Sequence, residues 1–177
     1  MVEGLNSMCV GLVSVFRGQP QAGLEQIHRG IELIPESSPT SPQGTQRYGY
    51  LLALGLASDG RPDEAFSKLT SALEWAEQSG SVADLAPMHR LKGRLLEGKF
   101  HLEEAENSFR TSIEIARRQG AKSLELPATT SLARLLAKQG RRDEGRALLA
   151  EIYHWFTEGF DTADLKDAKA LLEELSR

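Results

Sequence analysis

Apolar residues recur at helical spacing along nearly the whole chain, and short polar segments interrupt them. The interruptions are the segments RGQP, SDGRPD, LEGKFH and KQGRRD, and each contains a glycine where a helix would end in a left-handed cap. Apolar residues three and four positions apart are typical of amphipathic helices. The pattern predicts helices near residues 3–17, 20–34, 45–58, 62–78, 83–97, 102–118, 123–138, 142–157 and 162–175.

The chain also repeats itself at a period of about 40 residues. Four columns keep register across four copies, two of small residues, one of bulky apolar residues and one that is mostly leucine. The small columns are Gly11, Ala53, Gly93 and Ala133, and Gly23, Ala65, Ala105 and Gly145. The bulky column is Ile27, Leu69, Phe109 and Leu149, and the fourth is Ser14, Leu56, Leu96 and Leu136. Small residues that face bulky ones predict closely packed antiparallel helix pairs.

Two segments depart from the repeat. The segment from Pro35 to Gly44 is rich in proline and serine and is predicted to be a long loop. The last predicted helix, which Asp161 or Thr162 would cap, has one apolar face and one charged face. A repeat protein needs such a polar-backed piece at its end, so this helix is predicted to be the C-terminal cap.

The repeated residues resemble tetratricopeptide (TPR) repeats, in which small residues alternate with a large apolar one. Gly11, Gly23, Ile27 and Pro35 fit that pattern in the first copy, although the period exceeds the usual 34 residues. The resemblance implies a single all-α domain over residues 1–177, built as a right-handed solenoid of about four helix pairs. Its repeats would cover residues 3–34, 45–78, 83–118 and 123–157, with the cap at 162–175.

The segment from Glu104 to Leu175 resembles, more narrowly, the C-terminal repeat region of large bacterial signalling ATPases, of the adenylate-cyclase type and among transcription regulators. The resemblance implies a non-catalytic regulatory scaffold, within a larger cytoplasmic protein, whose preceding domain would be one partner. In TPR proteins the first helix of each pair lines a concave wall. Mapped onto this sequence, the wall residues that would bind a partner are Arg47, Tyr50, Arg90, Arg94, Thr130, Arg134 and Lys138.

The mapped wall carries mostly cations, so its partner would be an acidic protein or peptide, bound by arginine forks. One alternative is an effector-sensing domain, in which a small anionic ligand regulates an attached ATPase or cyclase. A second alternative is that the arginines pair with acids of adjacent helices, such as Glu125 or Asp84, and only hold the repeats together.

The first predicted helix is apolar nearly all round, unlike the polar outer face of a terminal repeat. Met8, Leu12 and Phe16 are therefore predicted to form an interface, either with a preceding repeat of a longer parent or with a second copy as a homodimer. Near the other end, Trp155 and Phe156 are predicted to pack the cap helix against the last repeat, and truncating Trp155 to alanine would cost roughly 3–5 kcal/mol.

Composition and motifs narrow the function further. The net charge of −4 argues against direct nucleic-acid binding, and no apolar run has transmembrane length. Cys9 is the only cysteine, so an internal disulfide and a thiolate metal cluster are both excluded. The sequence lacks phosphate-binding glycine loops and paired histidines, so neither a cofactor nor a metal nor enzymatic activity is predicted.

Overall fold

The computed structural model describes residues 2–33 and 41–177, including the side chains of all but residues 41–47. Within these ranges the regular structure is helical and no strand occurs, which confirms the predicted all-α class. The helices are α1 (Val2–Phe16), α2 (Pro20–Glu32), α3 (Ser41–Ser58), α4 (Pro62–Ser79), α5 (Leu85–Gly98), α6 (Leu102–Arg118), α7 (Lys122–Lys138), α8 (Arg142–Tyr153) and α9 (Ala163–Leu175).

Consecutive helices pack as pairs, α1 with α2, α3 with α4, α5 with α6 and α7 with α8. The small columns lie where the paired helices approach most closely. A methyl group on Gly11 would lie 2.6 Å from the Gly23 carbonyl oxygen, and one on Gly145 would lie 2.9 Å from that of Ala133. The bulky column residues, Ile27, Leu69, Phe109 and Leu149, are completely or almost completely buried. The repeat columns are therefore the contact surface within each pair.

One turn geometry joins the two helices of every pair. In each copy the backbone N–H three residues past the end of the first helix donates to the carbonyl of the fourth column, at 2.9 Å for Ser14, 2.9 Å for Leu56, 3.0 Å for Leu96 and 2.8 Å for Leu136. This is the bond of a Schellman motif, which requires a left-handed residue just beyond the helix.

The third copy corrects a prediction about that left-handed residue. Gly18, Gly60 and Gly140 take positive φ angles of 77°, 75° and 80°, as predicted. In the segment LEGKFH the glycine, Gly98, is still helical, and Phe100 takes the left-handed conformation at φ 63°. The register of the turn, rather than the nearest glycine, therefore determines which residue is left-handed.

Contacts divide the chain into two compact units, Met1–Asp84 and Leu85–Arg177. In the first unit α3 packs against both α1 and α2. In the second unit α7 packs against all four of the other helices, and α9 packs against α7 and α8.

Helix boundaries follow the sequence closely, with two differences. The segment Ser41–Gly44, predicted as loop, forms the first turn of α3, where proline is tolerated because the N–H groups of a first turn have no intrahelical acceptor. The rest of the predicted loop lies outside the described residues. Helix α8 ends at Tyr153 instead of residue 157.

The early end of α8 overturns the prediction for Trp155. Its side chain is 58% exposed and packs edge-to-face on Phe156. Tyr153 and Phe156 are the aromatic residues that pack on the core between α9 and the last pair. The predicted packing is therefore found for Phe156, and it is wrong for Trp155.

Candidate functional site

Helices α5, α7 and α9 lie side by side in the second unit, and polar contacts run between their side chains. Arg90 of α5 donates through Nε to the Ser131 hydroxyl of α7 at 3.3 Å. Lys138 of α7 donates to Glu97 of α5 at 2.7 Å, and Arg134 of α7 pairs with Asp167 of α9. We call the surface formed by these residues and Arg94 the α5–α7–α9 face.

Arg94 occupies the middle of this row on α5, one turn from Arg90 and just under one turn from Glu97. Its side chain is exposed, and no described residue forms an ion pair or a hydrogen bond with it. The face thus carries four cations and two acids and has a local positive excess, although the whole chain is negative. Such an excess attracts carboxylates or phosphates.

The ion pairs on the face are at least partly exposed, although the side chain of Glu97 is only about one-fifth exposed. Lys138 is about two-thirds exposed, while Arg134 and Asp167 are each about half exposed. Exposed pairs stabilise a fold by only about 0–1 kcal/mol each, because water and salt screen them. They can therefore exchange partners with an incoming anion at little cost.

A second set of ion pairs links α6, α8 and the turn before α8, and it has no such excess. Glu106 receives hydrogen bonds from Arg110 and Arg141, each at 2.7 Å, and Glu144 receives them from the same two arginines at 2.9 Å. Burial raises the pKa of Glu106, but the two arginines lower it further, so its pKa lies below the usual value. Two arginines and two glutamates neutralise one another here, so this network is structural.

A buried carboxylate lies where α6 turns into α7. Glu125 is 2% exposed and accepts hydrogen bonds from Arg117 at 2.6 Å and from Lys122 at 2.7 Å. Burial raises the pKa of this carboxyl, but Lys122 and Arg117 lower it more, so the pKa is below normal. The sequence suggested Glu125 as a partner for the wall arginines, and that pairing is wrong.

The remaining predicted wall residues are divided between several environments. Thr130 is buried and donates its hydroxyl to the Leu126 carbonyl, so the predicted role in partner binding is wrong for this residue. Tyr50 is half-buried in the first unit and already interacts with another residue. The side chain of Arg47 lies outside the described residues. Of the seven predicted wall residues, those that remain candidates for partner binding are therefore Arg90, Arg94, Arg134 and Lys138.

The predicted N-terminal interface is also only partly at the surface. Met8 is buried against Gly30 between α1 and α2, so its assignment to an interface is wrong. Leu12 is half-buried and Phe16 is exposed. The glycines at positions 11, 23 and 30 explain the burial of Met8, because they bring α1 and α2 into contact along their length.

The described residues lack two further kinds of feature, a metal site and a membrane-spanning helix. Among them no group of three or more histidine, cysteine, aspartate or glutamate side chains could hold a metal ion. Likewise, no helix in the described part of the chain has the length and apolarity needed to cross a membrane.

The paired helices, the small columns and the repeated turn define an α-helical repeat fold. Solved structures show that this fold is TPR-like. The TPR-like repeats of a kinesin light chain from Podosopora anserina match with a TM-score of 0.70 at 14% identity, covering 96% of this chain and 83% of that one. BtubC (BKLC) from P. vanneervenii matches with a TM-score of 0.68 at 14% identity, covering 98% and 90%.

The apo form of RapI gives a TM-score of 0.74 at 14% identity, and it covers 98% of this chain and 51% of that protein. No protein-family model and no curated protein matches the sequence. At these identities the likeness establishes the fold alone, and the predicted TPR-like class is confirmed.

Proposed function

We propose that the chain is a protein-interaction scaffold and that the α5–α7–α9 face binds an acidic segment of a partner protein. The observation that carries this proposal is Arg94, an exposed guanidinium that has no acidic partner among the described residues while its neighbours on the face are paired. A guanidinium presents planar, paired N–H donors that match the two oxygens of a carboxylate.

The arrangement around Arg94 favours an extended ligand over a point anion. Cations are distributed over α5 and α7, from Arg90 at one end to Lys138 at the other, and Glu97 and Asp167 lie among them. Carboxylates spaced along a partner segment could displace Glu97 and Asp167 from their pairs with Lys138 and Arg134 and reach Arg94 as well. A single small anion would satisfy fewer of these cations.

Fluorescence anisotropy with a labelled peptide of alternating glutamate and alanine tests the proposal. We expect Arg94→Glu to raise the Kd by roughly tenfold, because the substitution replaces attraction by repulsion. Arg146→Glu is the matched control: Arg146 is also exposed, forms no ion pair with a described residue, and lies on α8, away from the face. Its Kd should change by less than about twofold.

Two results would contradict the proposal. Equal weakening by both substitutions would indicate non-specific attraction to the whole chain. Competition by citrate or ATP at concentrations far below those of the peptide would instead favour the small-effector alternative.

A further inference from the structure

Helix α1 leaves a row of apolar side chains in solvent. Its members face away from α2 and are Val2, Leu5, Val10, Val13 and Phe16, with exposures from 45% to 77%. Cys9 lies among them and is exposed. We call this surface the α1 stripe. It is independent of the α5–α7–α9 face, which lies in the other unit.

The equivalent positions of α7 in the internal repeat show what covers residues like those of the α1 stripe. Gly11 of α1 is equivalent to Ala133 of α7, so each α1 residue corresponds to the α7 residue 122 positions later. Val10 is 48% exposed, whereas its equivalent Leu132 is 1% exposed; Val13 is 48% exposed, whereas its equivalent Leu135 is completely buried. The same helix positions are thus solvated in α1 and form the core in α7.

On α7 these positions are covered in part by the preceding helix pair, α5 with α6, which packs against α7. Leu124, the equivalent of Val2, packs on a cluster formed by Ala86 of α5 with Ile115 and Ala116 of α6. Ser131, the equivalent of Cys9, accepts the hydrogen bond from Arg90 of α5. The α1 stripe therefore corresponds to a surface on which a helix pair of this repeat type sits.

We propose that the α1 stripe docks a helix pair of a second TPR-like domain, stacked on α1 as α5–α6 is stacked on α7. Small and aliphatic residues at its contact, like those of the Ala86 cluster, would bury the valines and Leu5.

Helix α9 does not offer such a surface. The exposed residues of α9 are mostly charged, namely Asp164, Lys166, Asp167, Lys169, Glu173 and Glu174. Head-to-tail stacking of a second copy would place these charges on an apolar stripe, with a desolvation cost that valine and phenylalanine cannot offset. The occupant is therefore a different helix pair.

Cys9 is the only cysteine, so its reaction rate with a thiol reagent reports whether the α1 stripe is covered. The test protein carries a second copy of residues 85–122, which form α5, α6 and the following turn, fused directly before Met1 of the chain. This junction keeps the register of the internal repeat, because Ser123 is the equivalent of Met1. In the unfused chain Cys9 should react freely with Ellman's reagent. In the fusion its rate should fall by about tenfold or more, because the equivalent position is buried in α7.

Val13→Lys supplies the control for specific docking. Val13 is half exposed, so the substitution should leave the thermal melt of the unfused chain unchanged, but it should restore Cys9 reactivity in the fusion. Phe100→Lys, which changes an exposed aromatic residue elsewhere, should leave the protection intact.

An unprotected Cys9 in the fusion, or protection that survives Val13→Lys, would overturn the proposal. So would protection of Cys9 in the unfused chain that grows with concentration and yields a Cys9–Cys9 disulfide on oxidation. That result would assign the stripe to a second copy instead.

Discussion

A methyl group is too large for several positions between the paired helices, and this explains why the small columns could be predicted from the sequence. Gly145 lies against the Ala133 backbone, and Gly93 lies against the Phe109 ring. Close helix packing imposes a strict size limit at such positions, and size can be read directly from residue type. The identity of the left-handed residue was harder to predict, since the turn geometry selected Phe100 although Gly98 was close by.

Gly145→Ala tests the size limit. The added methyl would lie 2.9 Å from the Ala133 carbonyl oxygen, so we expect a loss of about 1–3 kcal/mol in the free energy of unfolding. Gly98→Ala is the control, since it is helical and has open space around it; it should stabilise by about 0.5–1 kcal/mol. Urea denaturation measures both, and a neutral Gly145→Ala would contradict the packing described.

Phe100→Gly should stabilise the protein. Phe100 is 86% exposed and therefore loses little packing, while glycine removes a left-handed strain of roughly 1–2 kcal/mol, partly offset by its greater entropy when unfolded. A gain of about 0.5–1 kcal/mol in urea denaturation is expected. Gly140→Phe, at the equivalent turn, should lower stability. If Phe100→Gly destabilised the protein, Phe100 would have a packing role that its exposure does not indicate.

The positions of the helices could be predicted, because the apolar spacing and the turn segments that define them are local properties of the sequence. The contacts between elements were less predictable. Glu125 was expected among the wall arginines but lies at the other side of α7, where Arg117 and Lys122 hold it. The direction of a side chain around a helix depends on the packing of neighbours, and spacing along the chain does not specify it.

The carboxylate of Glu125 should make stability depend on pH. Its pKa is lowered in the folded state, so its contribution is complete above the ordinary pKa of about 4.3 and is lost as pH falls through the folded value. Glu125→Gln should cost about 1–3 kcal/mol at pH 7, and the difference from the parent chain should shrink at pH 3. A difference that is constant with pH would contradict this assignment.

Helix α9 is held by its apolar side rather than by Trp155. Leu171 is buried in a cluster with Leu149 and Ile152 of α8, so Leu171→Ala should cost about 2–5 kcal/mol. Trp155→Ala should cost less than about 1 kcal/mol, because its ring is largely in solvent. Thermal melts of the two variants should separate clearly, and the opposite order would restore the sequence-based prediction for Trp155.

For the whole molecule, the repeat and the TPR-like class followed from the sequence, whereas the candidate binding face followed from it only in part. Four of the seven predicted wall residues lie on the α5–α7–α9 face, namely Arg90, Arg94, Arg134 and Lys138. Sequence position placed them on the same face, but it did not show that Glu97 and Asp167 neutralise two of them or that Thr130 is buried. Those facts depend on how α7 packs between α5 and α9.

A binding role for the α5–α7–α9 face can be tested by measuring the Kd of the glutamate–alanine peptide as salt rises, for the parent chain and for the Arg94→Glu, Arg134→Glu double variant. We expect the parent chain to bind and its affinity to weaken severalfold as salt rises from roughly 0.05 to 0.3 M, because the charges involved are largely exposed. The double variant should bind far more weakly at low salt while its circular dichroism retains the same helical content. Equal binding by the two proteins, or binding that salt does not change, would contradict a binding role for the α5–α7–α9 face.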